Sequence, residues 1–207
     1  MKIRLLDLAL TFKKEREIIT FTDFNYFYGQ MGAGKSSIAR LIDYCLGGDG
    51  DQISTPALQS EFVSASLALK VGGSDLILNR DANVDQIRAQ WEKDNEPFEV
   101  LIPARTPSGE VVPGTGIEVL SDLIFHLIGK TPPKVRRSKT KEETDLVRLS
   151  LRNLLWYCYL DQDTLDSSFF NLDSEANPFK RSKSRDVLRF LVGFHQEQVA
   201  DLESQLE

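Results

Sequence analysis

One glycine-rich stretch near the N-terminus constrains this chain more than any other feature. It fits the pattern G-x-x-x-x-G-K-[ST] at every fixed position through Gly29, Gln30, Met31, Gly32, Ala33, Gly34, Lys35 and Ser36. Residues 25–28 before it, three of which are aromatic, are predicted to form a β-strand. Apolar residues at three-and-four spacing after it predict an amphipathic helix that ends at Gly47-Gly48. The order expected here is strand, phosphate-binding loop and helix.

The residue types of this loop suit the binding of a triphosphate. Glycines allow backbone conformations that point successive N–H groups inward, at the positive end of the following helix. Lys35 would reach the β- and γ-phosphates and is predicted to be catalytic, while the Ser36 hydroxyl would ligate Mg²⁺. Ser37 would add a contact to the α-phosphate. The predicted cofactors are therefore ATP and Mg²⁺.

Composition excludes several other classes of protein. With 41% hydrophobic and 27% charged residues and no apolar run of about eighteen residues, the chain is expected to be globular, without a membrane partner. A cytoplasmic location is predicted, and association with the nucleoid stays open. The chain has only two cysteines and two histidines, so a metal ion held by protein sulfur or nitrogen alone is not expected. Any metal ion should arrive with the nucleotide.

Hydrophobic periodicity outlines the remaining elements. Strands are predicted at residues 2–12 and 18–21, and a hairpin at residues 63–71 and 76–78. Residues 82–116 are expected to be an irregular surface insertion with one strand at 98–102. Helices are predicted at residues 119–128 and 144–155, followed by a buried strand at 156–160 and a last helix whose apolar residues run from 188 to 206.

The predicted strand at 156–160 is followed by two residues that suit a magnesium site. In one interpretation, which we favour, the amide oxygen of Gln162 contacts Mg²⁺ and senses the γ-phosphate, as in a Q-loop. In the other, Asp161 is the magnesium-binding carboxylate of a Walker B strand. Gln162 is predicted to be a catalytic and metal-binding residue on the first interpretation.

The order of these pieces resembles the N-terminal half-head of the SMC, RecN and double-strand-break-repair ABC ATPases. The matching pieces are the opening strand, the aromatic segment and glycine-rich loop, the helix through Gly48, the hairpin ending at Asn79-Arg80, and Tyr159 to Gln162. The resemblance implies an α/β P-loop NTPase of ABC type, with a mixed sheet around a central P-loop helix. It places this lobe at residues 1–178, with the insertion at 82–116, and the start of a coiled-coil helix at 179–207.

The same resemblance implies how such a lobe works. Two heads would sandwich two ATP molecules, and the signature motif, Walker B strand and switch histidine would lie in a C-terminal half-head. Hydrolysis would need that half and a second copy of the head. The implied role is DNA repair, chromosome maintenance or anti-phage defence, with DNA and a nuclease subunit as partners.

Two clusters of basic residues bear on the DNA prediction. The second cluster, at the implied base of the coil, is predicted to contact DNA through Lys180, Arg181, Lys183 and Arg185, with a solvated linker as the alternative. The first cluster, expected in a proline-bearing mobile loop, consists of Lys130, Lys134, Arg136, Arg137, Lys139 and Lys141.

Two other functions stay open at this point. One is a complete small P-loop kinase or GTPase that uses Asp161 as its magnesium ligand, although no Asn-Lys-x-Asp base-reading motif is present. The other is a coiled-coil interaction module with a degenerate P-loop. Magnesium-dependent turnover by this chain alone would favour the first, and nucleotide binding unaffected by Lys35→Ala would favour the second.

Overall fold

The computed structural model describes residues 2–49, 56–136, 146–159, 170 and 178–193, and the chain divides into two compact units, residues 1–130 and 131–207. The first unit contains a six-stranded sheet. Its strands are β1 (Ile3–Phe12), β2 (Arg16–Thr20), β3 (Phe62–Val71), β4 (Ser74–Asp81), β5 (Gln86–Lys93) and β6 (Glu96–Pro103). Its helices are α1 (Lys35–Cys45), α2 (Pro56–Glu61) and α3 (Leu120–Ile128).

The sheet has the strand order β2-β1-β3-β4-β5-β6, and every neighbouring pair is antiparallel. Alternation of apolar and polar residues gives it one buried face. Leu67 in β3 lies opposite Leu8 in β1 and Leu78 in β4, and all three side chains are fully buried. Helices α1 and α3 pack against the central strands. The core of this unit therefore lies between the sheet and these helices.

The strands predicted from hydrophobic alternation are confirmed where the alternation is strong. The prediction for residues 82–116 is wrong in part. The predicted hairpin is present as β3 and β4, but the insertion contains a second long hairpin, β5 and β6, instead of one short strand. Asp94 and Asn95 make its turn with φ of 56° and 64°, conformations that these two residue types tolerate. Charged residues on the solvent face hide the apolar alternation at Ile87, Ala89 and Trp91.

The predicted mixed sheet is not observed in the described part of the chain, where the large sheet is antiparallel throughout. The predicted strand at residues 25–28 is also wrong, since this segment belongs to no sheet. A strand needs a hydrogen-bonded neighbour, and no described strand lies beside this segment. Local propensity is therefore not sufficient to make the segment a strand here.

The second unit contains β7 (Lys134–Arg136), β8 (Leu146–Arg148), α4 (Leu151–Leu155) and α5 (Pro178–Leu191). The predicted helix at 144–155 is wrong at its start, because residues 146–148 form a strand. Asn153 Oδ1 accepts the N–H of Ser150 at 3.1 Å and its hydroxyl at 2.9 Å, which sets the helix start at Leu151.

The predicted strand at 156–160 is wrong over residues 156–158, which form a turn. Tyr157 N–H donates to Leu154 O at 3.1 Å, so the chain continues the last turn of α4. The Tyr157 hydroxyl donates to Ser184 O on α5 at 2.9 Å, and its ring stacks on Phe170 with centroids 4.7 Å apart. These contacts hold the aromatic residue in a turn. None of the helices in the described residues has the length and hydropathy to cross a membrane.

Candidate phosphate-binding loop

The glycines of the predicted phosphate loop adopt conformations that other residues rarely reach. Gly29, Gly32 and Gly34 have φ of 154°, 84° and 83°. An added Cβ would meet nothing within 4 Å at Gly32 or Gly34, so glycine is needed there for its backbone conformation and not for space. Glycines in such conformations allow successive N–H groups to turn toward one side. The glycine conformations therefore suit an anion-binding concavity.

Helix α1 leaves its N-terminal N–H groups available to such an anion. Gly34 is the N-cap, no side chain caps it, and no acidic residue lies in the first turn. The first backbone bond of the helix runs from Ile38 N–H to Gly34 O at 3.1 Å. In the described chain, the N–H groups of Gly34, Lys35 and Ser36 donate to no other backbone group. These unpaired donors at the positive end of a helix suit a phosphate.

The Lys35 side chain lies over the loop. Its ammonium donates to the carbonyl oxygens of Gly29 and Gln30, each at 2.9 Å. A lysine ammonium has three N–H donors, so one remains for a phosphate oxygen when both carbonyls are bound. The exposed Ser36 follows in the first turn of α1, where its hydroxyl could hold a Mg²⁺ ion bound with the nucleotide. The residues present therefore fit a magnesium–triphosphate group.

The aromatic segment, residues 25–28, is attached to the sheet mainly through one side chain. Phe27 packs edge-on against the buried Phe21, with ring centroids 6.4 Å apart. Tyr26 and Tyr28 stack on each other at 6.3 Å on the other side and are 87% and 84% exposed. In the described part of the protein, residues 25–28 make no backbone–backbone hydrogen bond. An apolar, extended segment is thus exposed immediately before the phosphate loop.

Two arginines that sequence reasoning does not include in the site contact the far end of α1. Arg80 is only 5% exposed and donates to carbonyls there, and Arg105 contacts Gly47. A signal for Arg80 exists in the sequence, because it takes the inward position in β4 after Leu76 and Leu78. A charged residue in the apolar phase of a strand indicates a buried, specifically paired group. Arg105 follows β6 and has no comparable signal.

The other predicted site residues fall elsewhere. Gln162 and Asp161 lie outside the described residues, so both magnesium interpretations stay predictions. On α5, Lys180 and Arg185 are exposed while Arg181 and Lys183 are half-buried, and burial lowers the pKa of Lys183. In the first basic cluster Lys130 lies at the end of the first unit, Lys134 and Arg136 lie in β7, and Arg137, Lys139 and Lys141 are outside the described residues.

The glycine conformations, the uncapped helix start and the Lys35 contacts together define a P-loop nucleotide-binding domain. Comparison with protein families gives the same class. Residues 9–207 match the family described as AAA domain, and the chain belongs to that family. Domains of this family generally bind ATP with Mg²⁺. No curated protein matches the chain at a significant level.

Proposed function

We propose that this chain is the ATP-binding half of a split, SMC-like ABC head, in which ATP-driven head dimerisation supports DNA-related work. The complete head would need a C-terminal half-head, and a second copy of the head would close over the nucleotide. DNA and a nuclease subunit are the further partners of this proposal. The work itself would be repair, chromosome maintenance or anti-phage defence.

The exposed aromatic segment is the observation that supports a half-head best. In a P-loop domain the strand before the loop is expected to be buried, yet Tyr26 and Tyr28 are exposed here. The polar backbone groups of residues 25–28 are unpaired in the described chain, although such groups are paired when they are buried. Strands from a C-terminal half-head would pair this backbone and cover the two tyrosine rings. The segment would then become the strand that its residues favour.

Nucleotide binding follows from what the loop residues do. The N–H groups of Gly34, Lys35 and Ser36 orient the phosphates, and the Lys35 ammonium adds a positive charge beside them. A Mg²⁺ ion held there would supply positive charge to offset the negative charge of the phosphates. Ser36 and Gln162 are the proposed magnesium ligands. The described groups of the loop would bind and orient the nucleotide, but none of them activates a water molecule. We therefore assign hydrolysis only to the completed head.

DNA contact is proposed for the exposed basic face of α5. Arg181, Arg185 and Arg189 recur at four-residue spacing, so their side chains lie along one stripe of the helix. Lys180 lies off this stripe, and the half-buried Lys183 is the weaker candidate. Replacing Arg181 and Arg185 by glutamine should weaken duplex binding. It should also make the slope of log affinity against log salt concentration shallower, by the amount expected for the loss of about two phosphate contacts. Arg88→Gln, on an exposed strand position, is the control.

Calorimetry and turnover with Mg-ATP test the proposal and separate it from the alternatives. The chain alone should bind Mg-ATP weakly, lose that binding with Lys35→Ala, and hydrolyse almost none of it. Magnesium-dependent turnover by the chain alone, abolished by Asp161→Asn, would instead indicate a complete small P-loop kinase or GTPase. Binding that survives Lys35→Ala unchanged would indicate a degenerate loop in an interaction module.

A further inference from the structure

Helix α1 is fully buried only toward its C-terminal end. Its buried residues are Leu41, Asp43, Tyr44 and Cys45, all in the last five positions. Residues 35–40 are exposed or half-buried in the described structure. The 11-residue helix is about 16 Å long, and the phosphate loop lies at its less buried end. The tightest packing of the helix therefore lies at the end away from the phosphate loop.

Arg80 makes the most extensive of these contacts. Its Nη1 donates to Tyr44 O at 2.7 Å and to Gly48 O at 2.8 Å, and its guanidinium lies 4.0 Å from the centre of the Tyr44 ring. Its Nε donates to Val84 O at 3.0 Å, in the turn that joins β4 to β5. Burial lowers the pKa of Arg80 from its ordinary value, but an arginine stays charged at neutral pH. One buried cation thus joins the end of α1 to the sheet.

Arg105 approaches the same end from β6. Its Nε donates to Gly47 O at 2.6 Å, and its guanidinium forms an ion pair with Asp49. The chain is tightly packed at this point: Gly47 has φ of 89°, and a Cβ there would lie 3.0 Å from Ala104 O. An added Cβ on Gly48 would overlap the Asp43 carboxylate. The two glycines therefore allow the helix end to reach both arginines.

The two arginine contacts form one connected cluster. Asp85 lies 3.7 Å from Arg80 Nη2, and its carbonyl accepts the N–H of Ala104, the residue before Arg105. Asp49 and Asp85 balance the two positive charges. The carbonyl end of a helix carries partial negative charge, which two guanidinium groups stabilise.

We propose that Arg80 and Arg105 are positioning residues for the phosphate loop, fixing the axis of α1 so that its free N–H groups meet a bound phosphate. Hydrogen bonds to phosphate tolerate only a few tenths of an ångström, about 2.7–3.2 Å between donor and acceptor. A rigid helix transmits a tilt at its held end to its other end. The nucleotide-affinity part of this inference rests on the proposed function, whereas the order of the loop does not.

Two measurements on the whole chain test this inference, with Arg105→Gln and Arg80→Lys as variants and Arg88→Gln as the matched control. Nuclear magnetic resonance follows the amide signals of Gly32 and Gly34 without nucleotide, and calorimetry follows Mg-ATP binding. Both variants should broaden or shift the two glycine signals and raise the dissociation constant about tenfold, because misplaced groups bind their target poorly. The control should change neither. Asp49→Asn, which removes only the ion pair at the exposed Asp49, should give a smaller change in the same direction and is expected to fold normally.

Unchanged glycine signals and unchanged Mg-ATP affinity in variants that fold would overturn the positioning role. A loss of thermal stability with the same affinity per folded molecule would also overturn it, since that result indicates a purely structural contact. Should the unmodified chain bind no Mg-ATP, the proposed function fails. The glycine signals still decide whether the arginines order the loop.

Discussion

The two ends of helix α1 differ in how completely this chain surrounds them. At the C-terminal end, Tyr44 and Cys45 are buried, the last carbonyls accept hydrogen bonds from arginines, and Arg80 is itself buried. At the N-terminal end, the N–H groups of Gly34, Lys35 and Ser36 donate to no other backbone group in the described chain, and two tyrosines are exposed. The comparison teaches that the stability of this unit and its chemistry are located at opposite ends of one helix. Changes at the first end should lower the stability of the unit or misplace the phosphate loop, whereas changes at the second should alter binding with little effect on stability.

The largest effect is expected in the core beneath α1. Leu67→Ala should lower the free energy of unfolding by about 2–5 kcal/mol, because it leaves a cavity among fully buried side chains. Urea denaturation followed by circular dichroism measures the loss. Ile77→Ala is the matched control, since Ile77 is 40% exposed on the other face of the same sheet. Equal losses for the two variants would contradict the assignment of the buried face.

An intermediate effect is expected from alkaline pH at the same end of the helix. Burial raises the pKa of the Cys45 thiol to about 12 from 9.0, although nearby Arg80 lowers it, and burial also raises the pKa of Tyr44. At a pH between 9.0 and about 12, the unfolded chain releases the Cys45 proton and the folded chain keeps it. The free energy of unfolding should therefore fall as the pH rises from about 9 to about 12.

Urea denaturation at several alkaline pH values measures this dependence. Cys45→Ala should weaken it, whereas Cys158→Ala, at an exposed thiol, should leave it unchanged. A pH dependence that is the same in all three proteins would show that Cys45 is not the group responsible. Thiol labelling of the unmodified chain checks the burial of Cys45 directly. Cys158 should react in the folded chain and Cys45 only after unfolding.

The smallest effect on stability is expected at the other end of α1. Tyr26→Ser combined with Tyr28→Ser should change the free energy of unfolding of this chain by no more than about 0.5 kcal/mol, because both rings are exposed. Phe21→Ser, at the buried ring that holds Phe27, is the destabilising comparison. A large loss in the double variant would mean that the tyrosines already have a structural role in this chain.

Sequence reasoning succeeds where chemistry or alternation depends on residues close together in the chain. The P-loop is readable because Gly29, Gly34, Lys35 and Ser36 must occupy fixed spacings, and β3 is readable from its alternation. It fails where distant partners decide the outcome. Residues 25–28 have strand propensity without a neighbouring strand.

The arginine contacts at the C-terminal end of α1 could not be predicted either, because they join residues that are distant in the chain. Arg80 and Arg105 meet near Gly47 only after four strands and their turns are in place, so no local pattern brings them together. The inward phase of Arg80 signals burial but does not identify the carbonyls that it contacts. Gln162, Asp161 and the end of the chain after residue 193 lie outside the described residues, and their roles stay predictions.

Binding of Mg-ATP measured by isothermal titration calorimetry tests the central claim most directly. The unmodified chain should release heat with one nucleotide bound per chain, and Lys35→Ala should abolish it while the unfolding transition stays in place. Lys70→Ala, at an exposed lysine of β3, should bind as the unmodified chain does. Absence of heat from the unmodified, folded chain, or equal heat from Lys35→Ala, would contradict the claim that this loop holds a triphosphate.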